Sequence, residues 1–231
     1  MTPAPPPLDV VIPALNAARH LPATVDALTP GRGLGLVREV VLVDGGSMDG
    51  TPDLAASLGC RVLTAPRGRG HQLRAGGEAA RGSWLLFLHA DTRLSAGWAE
   101  AASAFMRDTG EDRAAVFRLR FDDHAPAARR LERIVAWRTR ALGLPYGDQG
   151  LLIPATLYRA LGEFAPIPLM EDVDMVRRLG RRRIALLDAE AVTSAERYRR
   201  SGYVVRSARN VSILGLYFLG VPPARLTRLY R

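Results

Sequence analysis

The stretch Val37–Thr51, VREVVLVDGGSMDGT, runs from a short apolar segment into an acid, two glycines and a second acid. Val37–Val43 predicts a buried strand that stops at Asp44-Gly45-Gly46, and Thr51–Leu58 predicts a helix. Pro52 falls in the first turn of that helix, where a missing N–H is tolerated. The same grammar extends to both sides. Upstream, Leu8–Ile12 is a strand stopped by Pro13, and Ala17–Leu28 carries apolar residues at helical spacing. Downstream come a strand at Arg61–Thr64, a helix at His71–Ala80 and a strand at Trp84–Leu88. Strands this short and continuously apolar, alternating with helices, imply a mostly parallel sheet covered on both faces, an α/β doubly wound architecture.

The second half of the chain is less regular. A helix is expected over Ala96–Arg107, and AVFRLRF at Ala115–Phe121 alternates like a half-exposed strand. Ala127–Leu142 reads as an arginine-rich amphipathic helix, followed by the Gly/Pro-rich break LGLPYGDQG. Then come a strand at Leu151–Ile153, a helix near Asp172–Leu179, and strands at Ile184–Leu187 and near Ala191–Ser194. Ser201–Leu219 predicts a helix, and Pro222-Pro223 starts a shorter one. The proline-rich tip at Pro3–Pro7 is the one low-complexity piece, and no linker separates the halves, so a single domain is expected.

Composition narrows the class. The 231 residues are 48% hydrophobic and 24% charged, enough for a substantial core. The formal net charge is +9, and every basic residue apart from histidine is arginine. Thirteen arginines stand against three acids between Arg177 and Arg231, so the remainder of the chain is close to neutral. A basic end suits an anionic partner such as a diphosphate or an acidic lipid surface, or else is a solvated face. Cys60 is the sole cysteine, which excludes an internal disulfide and any cysteine-cluster metal site and fits a reducing compartment. The opening MTPAPPPLDVV lacks the pattern of a signal peptide, and the best apolar run, Val211–Val221, is too short to span a bilayer; a cytoplasmic protein is expected.

In open α/β sheets, ligands sit beyond the carboxyl ends of the strands. Pro13-Ala14-Leu15-Asn16 follows the first strand here, Asp44–Thr51 the second, and His89-Ala90-Asp91-Thr92 the fourth. Asp49, just before Gly50-Thr51, reads as a helix cap. Asp44 and Asp91, on neighbouring strand ends, read as converging ligands.

The segments VVIPALNA (Val10–Ala17), VDGGSMDGT (Val43–Thr51), FLHADT (Phe87–Thr92) and Met170-Glu171-Asp172 together resemble the family 2 glycosyltransferases. YGDQG (Tyr146–Gly150) and SAERYRRSG (Ser194–Gly202) resemble a compact bacterial branch that includes arsenosugar- and selenium-cluster-associated members. The resemblance implies a single GT-A domain, the nucleotide-diphospho-sugar transferase fold, with a mostly parallel central sheet flanked by helices and a helical C-terminal end. Residues 8–95 would form the nucleotide-binding half, 96–200 the acceptor and catalytic half, and 201–231 the C-terminal helices. The implied activity is inverting transfer of a sugar from a nucleotide-diphosphate donor, a UDP-sugar, to a small-molecule or lipid-like acceptor.

The same resemblance assigns roles. Asp44 would accept the N3–H of uracil, with Pro13 and Asn16 lining the nucleoside pocket. Asp91 matches the last acid of the family's D-x-D signature and would hold Mn²⁺ or Mg²⁺ on the diphosphate. His89 stands where many members have an acid. It is read as a second metal ligand favouring Mn²⁺, as a hydrogen-bond partner for ribose or diphosphate, or as a strand-end residue bonded to backbone. Arg69, in PRGRGHQLRAGG, would reach the diphosphate or belong to a basic loop; that segment matches neither a P-loop nor G-x-G-x-x-G. Asp172 is the implied base, with Glu171 orienting it or the acceptor, although both also suit a helix start. Asp148 is the second candidate base, and Gln149 is expected near a sugar.

Other readings fare worse. The chain lacks the Q-x-x-R-W sequence of processive synthases near Arg197–Arg200, where one or more of Arg197, Arg199 and Arg200 would still clamp a diphosphate and Tyr198 and Tyr203 would pack or stack on a sugar. A sugar-phosphate nucleotidyltransferase would carry a glycine-rich signature where PALNAARHL stands. A nucleic-acid binder would interleave aromatics with its basic residues, and aromatics are only 6%, so nucleic acid is not an expected partner. The segment Val211–Leu219 is expected to pack against the core as an amphipathic helix, with peripheral membrane contact and a homodimer interface as alternatives.

Overall fold

A computed structural model describes residues 7–230; most of the proline-rich tip lies outside them. The chain begins with β1 (Leu8–Ala14), α1 (Leu21–Asp26), α2 (Thr29–Gly33), β2 (Val37–Asp44), α3 (Thr51–Ser57) and β3 (Arg61–Thr64). Next come α4 (Arg69–Ala79), β4 (Trp84–Phe87), β5 (Thr92–Leu94), α5 (Trp98–Asp108), β6 (Ala114–Phe121) and α6 (Pro126–Leu142). A 3-10 turn at Gly147–Gln149 leads into β7 (Leu151–Pro154), α7 (Ala155–Ala160) and α8 (Glu171–Leu179). After a second 3-10 turn at Arg181–Arg183, the chain closes with β8 (Ile184–Thr193), α9 (Glu196–Ser201), α10 (Tyr203–Phe218) and α11 (Pro223–Tyr230).

The strands form one sheet in the order β3-β2-β1-β4-β7-β6-β8-β5. The half made by β3, β2, β1 and β4 is wholly parallel. β7 enters antiparallel to both β4 and β6, β8 runs parallel to β6, and β5 closes the far edge antiparallel to β8. Alternate β1 side chains feed two cores, one on each face. Leu8, Val10 and Ile12 join Trp98 on one side, and Val11 joins Val41, Phe87 and Tyr158 on the other. That double burial is why the strands read as unbroken apolar runs.

Several boundaries differ from expectation for visible reasons. β1 continues through Pro13 to Ala14. Its pairing with β4 has already ended at Val11, so the missing proline N–H costs no bond on that side. The helix expected over Ala17–Leu28 is split and starts late. The Ala17 and Ala18 N–H groups donate instead to Thr51 Oγ1 (2.8 Å) and Asp49 Oδ2 (3.0 Å), and Pro30 opens a separate turn. The two late strand segments are one ten-residue strand, β8, whose register against β6 shifts between Val116 and Arg118. β5, α7 and α9 were not anticipated. Each is six residues or fewer, too short to show periodicity.

Helix α4 lies close on the sheet. A Cβ at Gly76 would stand 2.3 Å from Val11 Cγ1, and one at Gly77 2.5 Å from the Tyr158 hydroxyl. Among the described residues no helix is long and apolar enough to cross a membrane.

Candidate active site

Because β1, β2 and β4 are parallel, their carboxyl ends and the following loops meet at one edge of the sheet. Asp44 is buried at the end of β2, and its Oδ2 accepts the Gly46 and Ser47 N–H groups at 2.9 and 3.0 Å. Asn16 adopts φ 51°, a left-handed conformation its short polar side chain tolerates. Its N–H donates to Ser47 Oγ (2.8 Å), and its Oδ1 accepts the Met48 N–H (2.9 Å), which stitches the two loops together. Asp49 caps the start of α3 by accepting the Thr51 N–H at 3.1 Å. Beneath them the buried Gln72 amide donates to the carbonyls of Ala14 (2.6 Å) and Val43 (2.8 Å), clamping both strand ends. Pro13, Asn16 and Asp44 thus share one loop pair.

A second group gathers in a cavity of about 130 Å³ whose walls include Arg69, His89, Asp91, Asp148 and Asp172. Pro13, Asn16 and Asp44 are not part of its lining. His89 ends the β4 run, Arg69 opens α4, Asp148 sits in the first 3-10 turn, and Asp172 stands in the first turn of α8. Gly147 lets that turn lie on the imidazole, since a Cβ there would approach His89 Nε2 to 2.7 Å. The Gly147 N–H donates to Asp172 Oδ2 at 2.8 Å, joining the turn to α8.

The electrostatics of the group follow from crowding. Burial, helped by the Arg69 charge and opposed by Asp91 and Asp172, pushes the His89 pKa down to about 4, so the ring is neutral at ordinary pH. Burial pushes Asp148 up to about 6; Arg138 opposes the shift, and Asp172 and Asp91 add to it. Asp148 Oδ1 is a buried acceptor without a partner among the described residues. Glu171 is fully buried and does not line the cavity. Its Oε1 lies 2.8 Å from Arg69 Nε, an ion pair off the hydrogen-bond direction, and burial raises its carboxyl to about 7. Met170, just before it, takes φ 67°, a strained left-handed conformation for a non-glycine residue.

Of the opposite wall, Arg197 and Tyr198 are among the candidates for a diphosphate and a sugar, and the rest was not foreseen. Arg206, Asn210 and Ile213 on α10 close the cavity, together with Tyr198 and Phe121. The Asn210 amide donates to the Tyr198 hydroxyl at 3.3 Å, and its Oδ1 has no partner among the described residues. The row 206, 210, 213 is an i, i+4, i+7 helical face, the one signal that marks these residues in sequence. Gln149, expected near a sugar, turns into the core. Its amide donates to the Phe117 carbonyl, and its carbonyl accepts the Thr139 hydroxyl, both at 3.0 Å. Among the described residues no three acidic, histidine or cysteine groups stand together as a self-sufficient metal site. Asp91 and His89 offer one oxygen and one neutral nitrogen to the same cavity.

Comparison with known proteins places this geometry. A glycosyltransferase from Mycobacterium bovis, named for PGL/p-HBAD biosynthesis, is 40% identical over 98 residues, which cover 39% of this chain and 38% of that protein. The match therefore spans well under half the length of such curated relatives. The structure of M. tuberculosis glucosyl-3-phosphoglycerate synthase superposes with TM-score 0.65 at 24% identity, covering 94% of this chain and 82% of that one. The same enzyme in complex with Mn²⁺, UDP and glucosyl-3-phosphoglycerate superposes with TM-score 0.60 at 23% identity, over 82% and 70% of the two chains. At that identity the likeness establishes the fold. The model of the glycosyl transferase family 2 matches residues 9–165, taking in the strand-end loops, Arg69, His89, Asp91 and Asp148. On that match the chain belongs to glycosyl transferase family 2.

Proposed function

We propose that the chain moves a sugar from a UDP-sugar to a hydroxyl acceptor with inversion at the anomeric carbon. The observation that carries this reading is the convergence of Arg69, His89, Asp91, Asp148 and Asp172 on one cavity beside the loop pair of Pro13, Asn16 and Asp44. Residues 8–95 then serve the nucleotide, 96–200 the acceptor and the chemistry, and 201–231 the cavity wall. The Asp44 carboxylate keeps acceptor capacity beyond its two backbone bonds and suits the uracil N3–H.

A divalent ion fits the donor set, provided a diphosphate completes it, because Asp91 and neutral His89 offer only two protein ligands. When bound, Mn²⁺ or Mg²⁺ would offset the charge that gathers on the departing nucleoside diphosphate. The mixed oxygen and nitrogen set favours Mn²⁺. Arg69, held by Glu171 from below, presents a guanidinium to the same diphosphate. Asp172 takes the proton of the acceptor hydroxyl as that oxygen bonds to the anomeric carbon and the bond to the diphosphate breaks. Glu171 acts through Arg69 and not on the acceptor, since it is sealed from the cavity. A second reading makes Asp148 the base, favoured by its unpartnered Oδ1 and its raised pKa of about 6. The lone buried Cys60 is compatible with a reducing cytoplasm.

Calorimetric titration of UDP, with and without Mn²⁺, on the chain and on Asp91→Ala tests the reading. Metal-dependent binding that the variant loses supports it. Failure to bind UDP or any other nucleoside diphosphate refutes it.

A further inference from the structure

Helix α10 turns one face inward, with Arg206, Asn210 and Ile213 on the cavity and Leu216 and Tyr217 against Leu169 and Leu226, and leaves a second, apolar face outward. Arg206 and Asn210 face the cavity, whereas Val204, Ala208, Val211, Gly215, Phe218 and Leu219 are exposed along the other side. Val204 is 82% exposed, Val211 66% and Leu219 82%, so the packing of Ile213 on the inner side leaves this second apolar face exposed. The exposed positions recur every three to four residues over a helix of sixteen residues, about 24 Å long, and no charge interrupts them. A continuous apolar stripe of this kind on a folded chain marks an interaction surface.

Its rim is cationic. The Arg177 guanidinium lies 5.1 Å from the Phe218 ring centroid at one end of the stripe. Arg200 before the helix and Arg225 after it are exposed and make no ion pair among the described residues. An isologous contact with a second copy would set this basic rim against itself. An apolar stripe edged with arginine instead complements an anionic bilayer surface, where the side chains enter the acyl boundary and the guanidinium groups meet headgroups.

We propose that α10 docks the enzyme peripherally on anionic lipid membranes, its outer stripe in the interface and its inner face on the cavity. The surface is independent of the sugar-transfer reading. The cavity then opens beside the bilayer, where a lipid-borne acceptor is presented.

Co-sedimentation with phosphatidylglycerol-containing and pure phosphatidylcholine vesicles tests this on the full chain, with Val211→Glu/Leu219→Glu as the variant. Both positions are exposed, so the variant should keep its circular dichroism and its UDP affinity. Binding to the anionic vesicles should weaken about tenfold or more in the variant and fall with added salt. The proposal is overturned by no vesicle binding, by binding the variant retains, or by equal partition onto phosphatidylcholine. It is also overturned if sedimentation shows a dimer that the variant dissolves, because a second copy would then cover the stripe.

Discussion

At the scale of single residues, two of the three cavity carboxylates, Asp148 and Asp172, are separated by what holds them. Asp172 is fixed by the Gly147 N–H at 2.8 Å and stands where the α8 amides face it. Asp172→Asn should lower kcat by about 10²–10⁴ and leave UDP affinity unchanged, as steady-state kinetics beside calorimetry would show. If Asp148→Asn produces that loss instead, the base is Asp148. Glu171 yields a pH prediction. Its carboxyl titrates near 7 in the folded chain against 4.5 as the ordinary value, so the folded state holds the proton more tightly. Stability contributed here is greatest below the ordinary value and falls as pH rises through that window. Glu171→Gln should remove this fall, on the order of 2 kcal/mol, in urea unfolding compared at about pH 5 and about pH 8. A variant with the same slope as the parent would show that Arg69 already neutralises the buried charge.

At the scale of elements, α4 and the strand ends carry the site. The Gly76 Cα lies so near β1 that Gly76→Ala forces its methyl into Val11, with Val43 3.0 Å away. Overpacking of this kind costs about 1–3 kcal/mol in equilibrium unfolding, despite the better helix propensity of alanine. Gln72→Leu leaves the Ala14 and Val43 carbonyls without their buried donor, a loss of about 1–3 kcal/mol. Because those carbonyls end β1 and β2, UDP affinity should fall with it. An unchanged affinity would mean that the loop stitching by Asn16 and Ser47 is sufficient.

Across the whole molecule, the cavity is built from two kinds of sequence. The family match ends at residue 165, whereas Asp172, Tyr198, Arg206 and Asn210 lie beyond it. Arg206 is buried in the far wall, and on the proposed reading it contacts the acceptor and not the nucleotide. Arg206→Met should therefore reduce kcat/KM for the acceptor by about 10–100-fold, the worth of a charged hydrogen bond, with UDP affinity preserved. A matching loss of UDP affinity would move Arg206 to the donor side.

Sequence by itself determined the parallel half and the loops with Asp44 and Asp91 at its edge; it read those two acids as neighbours, whereas β1 lies between β2 and β4 and Asp44 lies outside the cavity that Asp91 lines. Those features are written in short-range pattern: apolar runs, turn glycines, and a strand polarity that sends every loop to one edge. Tertiary structure alone decided the rest. The insertion of β7 against β4, the fusion of two apparent strands into β8, and the turning of Gln149 into the core depend on pairings between distant segments. The ion pair that hides Glu171 beneath Arg69 joins helices about a hundred residues apart. The second apolar face of α10, left exposed while Ile213 packs inward, belongs to the same class. Periodicity shows that a helix has two faces, and only packing against the cavity decides which of them meets the protein.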